Sequence, residues 1–551
     1  MKKYVIAILC VVISVALYFV VADILGPGNN SNSPSPSRAG IQKPIEPEPV
    51  TDSDLKKTYG VIVIGAGMAG LEAANQLDSK GIDVVVLEAR DRIGGRISTY
   101  NSSGTALDLG ASWIHGLNKN SVGFENPIYK IVSKNNINFV KTNPTVTLYN
   151  SSGYQVDDDS DDLNDKYVKF AEKYDKIISD DKRKKSSIQD VINKYYRSIG
   201  PIDKTEIPKY RYTMYWNNDM NQAANTTELA FENSLENQYF NGDEDNEGIF
   251  PDGYNQLVNF LAGGLHIKHD IKHATVTKVN YTNQPIMVTT DKGTFMARHV
   301  ISTLPLGVLQ KNKVEFYPPF DQDKAKAIKH LKMGTMDKVY LIFNYTQDQV
   351  PFWSTSGIWI NRLPDVADMD PNNETDKKWQ FFFNLYNYDH KPIFLAFNTG
   401  SQARNLETQN DTKIINEVME VLKKMYGNTK VPDHPQHYVI TRWAMDPYSE
   451  GSYSFIPVNG SLDDFDKLAK PIDDKLFFAG EATNKYYYGT VHSAYISGYR
   501  AAEEILKLEN KTDSPLVQRE HGIKSWDVIC GMGFVLKDET STENVNCVPE
   551  K

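Results

Sequence analysis

A two-domain α/β fold is the class this sequence predicts, and three observations predict it. Val61 to Ile64 form a β-branched run suited to a strand buried on both faces. Gly65, Gly67 and Gly70 follow at G-x-G-x-x-G spacing and open a segment, Leu71 to Leu77, with Ala73, Ala74 and Leu77 on one helical face. Val84 to Leu87 is a second buried strand, closed by Glu88. Together they make a βαβ unit of the Rossmann type, which binds a dinucleotide. Gly65 allows a sharp turn, Gly67 a close pyrophosphate, and Gly70 a helix packed tightly on its strand. The helix start presents unpaired N–H groups to phosphate, and Glu88 is placed to accept from ribose hydroxyls.

The chain has 551 residues, enough for two or three domains, with 40% hydrophobic content. Its formal charge of −10 argues against a nucleic-acid partner and suits a cationic substrate. Lys2 and Lys3 precede an apolar run from Tyr4 to Ala22. That run is about as long as a bilayer-spanning helix of ~20 residues. It reads as an uncleaved signal anchor, with a cleaved signal peptide as the alternative, so residues 1–25 stand outside the fold. Either reading places the catalytic part outside the cytosol, membrane-anchored or secreted. Residues 26–57 read as a flexible linker rich in Asn, Ser and Pro. Asn-x-Ser/Thr sites at Asn101, Asn150, Asn344, Asn459 and Asn510 fit that route. Of the three cysteines, Cys10 lies in the apolar run, and Cys530 and Cys547 could pair in an oxidising compartment.

After Glu88 comes Arg90-Asp-Arg-Ile-Gly-Gly-Arg96, a second backbone cradle whose arginine forks suit phosphate. Leu107-Asp-Leu-Gly-Ala-Ser-Trp-Ile-His-Gly116 is a tight turn carrying Trp113 and His115. Far along the chain stand Lys475-Leu-Phe-Phe-Ala-Gly-Glu-Ala-Thr483 and Gly489-Thr-Val-His-Ser-Ala-Tyr-Ile-Ser-Gly498. Leu476 to Phe478 reads as a short buried strand, and Val491 to Leu506 as an apolar-faced helix. Gly253 to Ile267 reads as an amphipathic helix, Ala274 to Val279 as a strand, and His299 to Pro305 as a strand ending in a turn.

These motifs together resemble the flavin-containing amine oxidase family, most closely the polyamine oxidases, over about Tyr59 to Leu506. The resemblance implies a discontinuous FAD domain of the glutathione-reductase type, from 58–125, 245–320 and 440–510. It implies a mixed sheet-plus-helices substrate domain from 126–244 and 321–439, with 511–551 as a C-terminal extension. FAD would be bound by Gly65, Gly67, Ala69, Gly70, Glu88, Ala89, Arg90, Gly95 and Arg96. Gly110, Ala111, Ser112, Trp113, Val276, Trp443, Gly480, Glu481, Thr490 and Val491 complete the implied set.

The chemistry implied is oxidation of a C–N bond, with hydride passing to flavin N5, hydrolysis of the imine, and dioxygen reoxidising the flavin to give hydrogen peroxide. Lys338 matches the family lysine that holds a water near N5; Lys332, just upstream, does not. His115 would reach the substrate channel, and Tyr453 would wall the flavin ring. The facing tyrosine of monoamine oxidases is Thr490 here, with Tyr486 to Tyr488 nearby. No cysteine lies between Cys10 and Cys530, so the flavin is expected to be noncovalent. Gly110-Ala-Ser-Trp113 replaces the arginine signature of the L-amino-acid oxidases. No metal-ligand cluster is evident.

Tyr212 to Ile267 contains no Lys or Arg but many acids, and Glu228, Glu232 and Glu236 would share one face if helical. Such a face would hold the distant ammonium groups of spermine, spermidine or their acetylated forms. Alternatives are another monoamine or amino-acid oxidase, or a flavin-binding interaction protein with little turnover.

Overall fold

The computed structural model describes residues 45–511, apart from 103, 118–124, 143–144, 233–245, 264–270, 346–348, 350, 354–356, 366–376 and 390. All of these lie in one compact unit, Lys43–Lys551. The N-terminal apolar run, most of the linker, Glu236, Cys530 and Cys547 fall outside the described residues. Among the described residues no helix is long and apolar enough to cross a membrane.

The β-branched run forms the middle of a mainly parallel sheet. Thr58–Ile64 pairs in parallel with Val84–Glu88 on one side and Gly293–Ser302 on the other. Ile271–His273 and Leu476–Phe478 extend this parallel core. Ile286–Thr290 and Val276–Asn280 continue it as an antiparallel flange. Val61, Val63, Val84 and Val86 face one apolar layer, and Ile62, Ile64, Val85 and Leu87 the other. Burial on both faces is why the sequence shows runs here and not alternation.

Helix Met68–Asp78 covers one face, and helix Val491–Leu508 packs on it. A Cβ on Gly498 would lie 2.1 Å from the Ala69 carbonyl oxygen, so this approach needs a glycine. The chain's late helix is thus locked onto the helix of the glycine loop. The segment read as helical from Gly253 forms helix Asn255–Gly263.

A second, seven-stranded sheet runs His437–Ile440, Met336–Ile342, Ile393–Thr399, Phe381–Asn384, Trp359–Arg362, Val146–Tyr149 and Gln155–Val156. Its Phe-rich strands bury one face under helices Gly400–Glu407 and Asp411–Tyr426. The other face carries Tyr340, Phe381, Phe383 and Phe397, packed on Tyr212 and Tyr215.

The acidic stretch departs from expectation. Glu228 and Glu232 lie in turns and not on a helix. Leu229 and Ala230 bridge to Pro457 and Ser187 instead, a tertiary pairing that replaces helical hydrogen bonds. Glu228 pairs with Arg404 at 3.1 Å, and buried Asp219 pairs with Lys377 at 2.6 Å.

Candidate active site

One cavity of about 820 Å³ runs from the glycine loop to the second sheet. It is lined by every residue proposed above for cofactor binding or catalysis except Gly70.

At one end the backbone makes the site. Gly65 has φ +102°, and a Cβ there would lie 2.6 Å from Thr303 Oγ1. A Cβ on Gly70 would meet the Gly65 carbonyl oxygen at 1.9 Å, which keeps Gly70 inside the packing and off the cavity wall. Gly67 differs: its Cβ would meet no protein atom closer than 3.9 Å. The room beside Gly67 is left for something other than the chain. Gly67 caps helix Met68–Asp78 with no side-chain acceptor, so the first N–H groups stay open to an anion. Gly94 and Gly95, at φ +98° and +61°, fold a second turn against this loop, with the Gly94 N–H on the Ala66 carbonyl at 2.8 Å.

Glu88 is buried and accepts from the N–H groups of Ala66 (2.7 Å) and Arg90 (2.9 Å). Burial raises its pKa, and these backbone donors work to lower it. Each oxygen keeps a further lone pair for a hydroxyl. Val276 lines the cavity close by, and the Ala274 N–H holds the Glu88 carbonyl at 2.9 Å.

The arginines of this loop also have protein partners. Arg90 makes a two-pronged pair with Asp446, at 2.9 and 2.7 Å. Arg92 donates to the carbonyls of Ile93, Gly95 and Ile97. Arg96 holds Glu481 at 2.8 Å and the Ser452 carbonyl at 3.0 Å. A half-buried guanidinium is costly unless paired, and these pairs pin the loop. Glu481 is likewise engaged: it also accepts from Ser454 Oγ (2.6 Å) and the Gly489 N–H (2.9 Å).

Midway, Lys338 projects from strand Met336–Ile342, which is paired on both sides. Lys338 is therefore on an interior strand and buried, whereas Lys332 is exposed. Lys338 is 4% exposed, and its Nζ donates to the Asp108 carbonyl (2.7 Å), the Gly110 carbonyl (2.6 Å) and Ser112 Oγ (2.5 Å). Burial pulls its pKa down to about 7, opposed by the charge of Asp108. Asp108, itself pushed up to about 6 by burial, is fixed by Thr99 Oγ1 at 2.5 Å and the Tyr254 N–H at 2.9 Å. The Gly110 turn sits on the Arg96 carbonyl so closely that a Cβ would approach to 1.7 Å. Trp443 steadies it, donating from its indole to the Leu109 carbonyl at 3.0 Å.

At the far end side chains make the site. Trp113 and Trp359 stack at 6.0 Å, Trp216 meets Trp359 edge-on at 5.0 Å, and Lys338 Nζ lies 5.6 Å from the Trp113 ring. His115 Nδ1 pairs with Glu247 at 2.5 Å. Burial lowers its pKa, but the Glu247 carboxylate outweighs burial and raises it. His492 lies 6.4 Å away, ring to ring; burial and then the His115 charge hold it well below the ordinary imidazole value. Tyr453 donates to the Asn221 carbonyl at 3.1 Å and packs on Gly489. Thr490 caps helix Val491–Leu508, accepting from the Ser493 N–H at 3.1 Å.

Sequence reasoning did not single out Trp216, Trp359, Phe397, Asp158, Asp161 or His492 as lining residues. His492 stood inside a quoted motif. The others are scattered, and no local pattern marks them. Of the acidic stretch, Glu247 is the member that lines the cavity among the described residues.

A family model described as flavin-containing amine oxidoreductase matches residues 68–506. This chain belongs to that family. The family's relatives divide in what they are named for. A human lysine-specific histone demethylase 2 is 30% identical over 465 residues, which cover 82% of this chain and 54% of that protein. Polyamine oxidase 3 of Oryza sativa subsp. japonica is 30% identical over 465 residues, covering 81% of this chain and 89% of its own. The chain spans between 54% and 61% of the length of the first histone demethylases it matches. A solved putrescine oxidase, a triple mutant redesigned in cofactor binding, aligns with a TM-score of 0.65 at 16% identity. It covers 82% of this chain and 99% of its own, a likeness of fold. The room beside Gly67, the open helix start and the lone pairs of Glu88 fit FAD, the flavin this family carries.

Proposed function

We propose that this flavoprotein oxidises the C–N bond of a polyamine. Bound FAD supplies the hydride acceptor, and dioxygen returns it to the oxidised form with hydrogen peroxide as product. The glycine loops and Glu88 would hold the nucleotide; Lys338, Trp443 and Tyr453 would stand beside the ring. With a pKa near 7, Lys338 can hold or release a proton at Nζ near neutral pH. All three positions on Nζ are engaged, so a water could reach it only by displacing a partner such as Ser112 Oγ.

One observation carries the substrate reading. Aromatic faces and carboxylates line the far end of the cavity, while four of the basic side chains lining it face carboxylates. Arg90 faces Asp446, Arg96 faces Glu481, Lys313 faces Glu450, and His115 faces Glu247. Asp158 and Asp161 join Trp113, Trp216 and Trp359 in the wall. Such a wall accepts an extended cation. The second reading, a methylated lysine side chain, has support in the equal identity to histone demethylases.

A peroxide-coupled screen over polyamines, monoamines, amino acids and methyl-lysine peptides tests both. Turnover of spermine, spermidine or an acetylated form is expected. Turnover confined to monoamines or to peptides overturns the proposal. Acid precipitation should release the flavin, since no cysteine lies between Cys10 and Cys530. The apolar run Tyr4 to Ala22 underlies a further proposal, a catalytic part outside the cytosol. Protease protection in intact cells tests it: a cytosolic catalytic part would refute it.

A further inference from the structure

The segment that follows strand His437–Ile440 holds Lys338 from one side. The Lys338 N–H donates to Thr441 Oγ1 at 2.8 Å, and the Thr441 N–H donates to the Lys338 carbonyl at 3.0 Å. Trp443 reaches the Leu109 carbonyl, next to the Gly110 carbonyl that Lys338 Nζ holds. Thr441 to Ala444 therefore ties the lysine to the turn it grips.

Two buried carboxyls bracket this segment. Asp337, 2% exposed, accepts through Oδ1 from Thr441 Oγ1 (2.8 Å) and the Trp443 N–H (3.2 Å). Glu407, 4% exposed, accepts through Oε1 from the Ala444 N–H at 2.7 Å. Asp337 Oδ2 is buried with no hydrogen-bond partner among the described residues, and the Glu407 carboxyl is the neighbour whose charge acts on the Asp337 carboxyl. Two carboxylates in contact in a dry site do not both ionise.

The charged groups on the neighbouring elements are engaged elsewhere. Arg442 donates to Asp411 and to the Glu407 and Gln409 carbonyls. Arg404 pairs with Glu228. Lys338 points to the other face of its strand. Burial, then the Glu407 charge, pushes the Asp337 carboxyl well above the usual carboxylate range.

We propose that Asp337 and Glu407 share one proton, and that this proton fixes Thr441 to Ala444, making both carboxyls positioning residues for Lys338 and Trp443. The proton sits on Asp337 Oδ2 and is donated to the Glu407 carboxylate, while Oδ1 stays an acceptor. The arrangement rests on the placement of Lys338 beside the flavin proposed above, and not on which amine is the substrate.

Asp337→Asn keeps the Oδ1 acceptor and offers Glu407 a permanent N–H; Asp337→Ala offers neither. The holoenzyme is followed from about pH 6 to about pH 10 by visible circular dichroism of the flavin and by Tm. Anaerobic flavin reduction is followed with any amine that turns over. Asp337 is protonated in the folded chain and ionised in the unfolded one, so wild-type stability falls as pH rises toward its raised pKa. The asparagine variant should lose less Tm over that range and keep near wild-type dichroism and reduction rate. The alanine variant should bind flavin but reduce it on the order of tenfold more slowly, from a displaced lysine. The proposal is overturned if the asparagine variant follows the wild-type pH dependence of Tm, or slows as the alanine variant does. If no amine turns over, dichroism and Tm still decide, so loss of the substrate reading is told apart from loss of this one.

Discussion

The two ends of the cavity are built differently. At the glycine-loop end the backbone forms the wall, and glycines at 65, 67, 70, 94 and 95 set its shape. The charged side chains there tie the protein to itself, as Arg90 to Asp446 and Arg96 to Glu481. At the far end strands and helices only carry the site, and side chains from distant segments make it: Lys338, Trp359, Glu247, His492. A backbone cradle fixes what any dinucleotide shares. A side-chain wall can change with substrate while the cradle stays.

The largest effect expected from breaking this contrast is at Gly70. Gly70→Ala places a Cβ 1.9 Å from the Gly65 carbonyl, against backbone that cannot yield. Overpacking of this kind costs about 1–3 kcal/mol or more, so flavin-loaded protein should largely disappear from the soluble yield. Gly67→Ala sharpens the point. Its Cβ meets no close protein atom, so the apoprotein Tm should hold while flavin affinity falls. Equal loss of apoprotein stability in both variants would mean that the space beside Gly67 is not kept for the cofactor.

At the other end, Lys338→Met should slow flavin reduction or reoxidation by roughly 10²-fold in stopped flow, the usual scale for a positioned proton-transfer group. The bound-flavin spectrum should persist. Unchanged kinetics would leave Lys338 a structural clamp.

Glu247→Gln should act more gently. The carboxylate raises the His115 pKa, so the variant's His115 titrates at lower pH, and any acid limb of kcat/KM should move down with it. The pair's stability is present below the unfolded imidazole value and is lost as pH rises through the raised one. The Tm gap between variant and wild type should therefore shrink with rising pH. A constant gap would show that the pair is not ionic. Smallest of all, Trp443→Phe removes one hydrogen bond to the Leu109 carbonyl, about 1 kcal/mol, read as a few degrees of Tm.

Several sequence expectations meet the structure unevenly. The β-branched run, the glycine spacing and the terminal acid described a local unit, and Thr58–Glu88 folds as that unit. Lys338 was singled out through the family resemblance, and the sequence alone did not show what it holds. The carboxylate partners of the arginines were not legible, because Asp446 and Glu481 lie more than 350 positions away along the chain. The acidic helix failed for a related reason: Leu229 and Ala230 found partners at Pro457 and Ser187.

The sequence by itself determined the cradle, since turn, approach and helix packing all depend on which residues lack a Cβ within a few positions of one another. Only the tertiary structure decided what Lys338 holds, which acids line the cavity, and that Asp337 and Glu407 bracket one segment. Those contacts join strands and helices far apart in the chain, and their burial sets the protonation on which the chemistry depends.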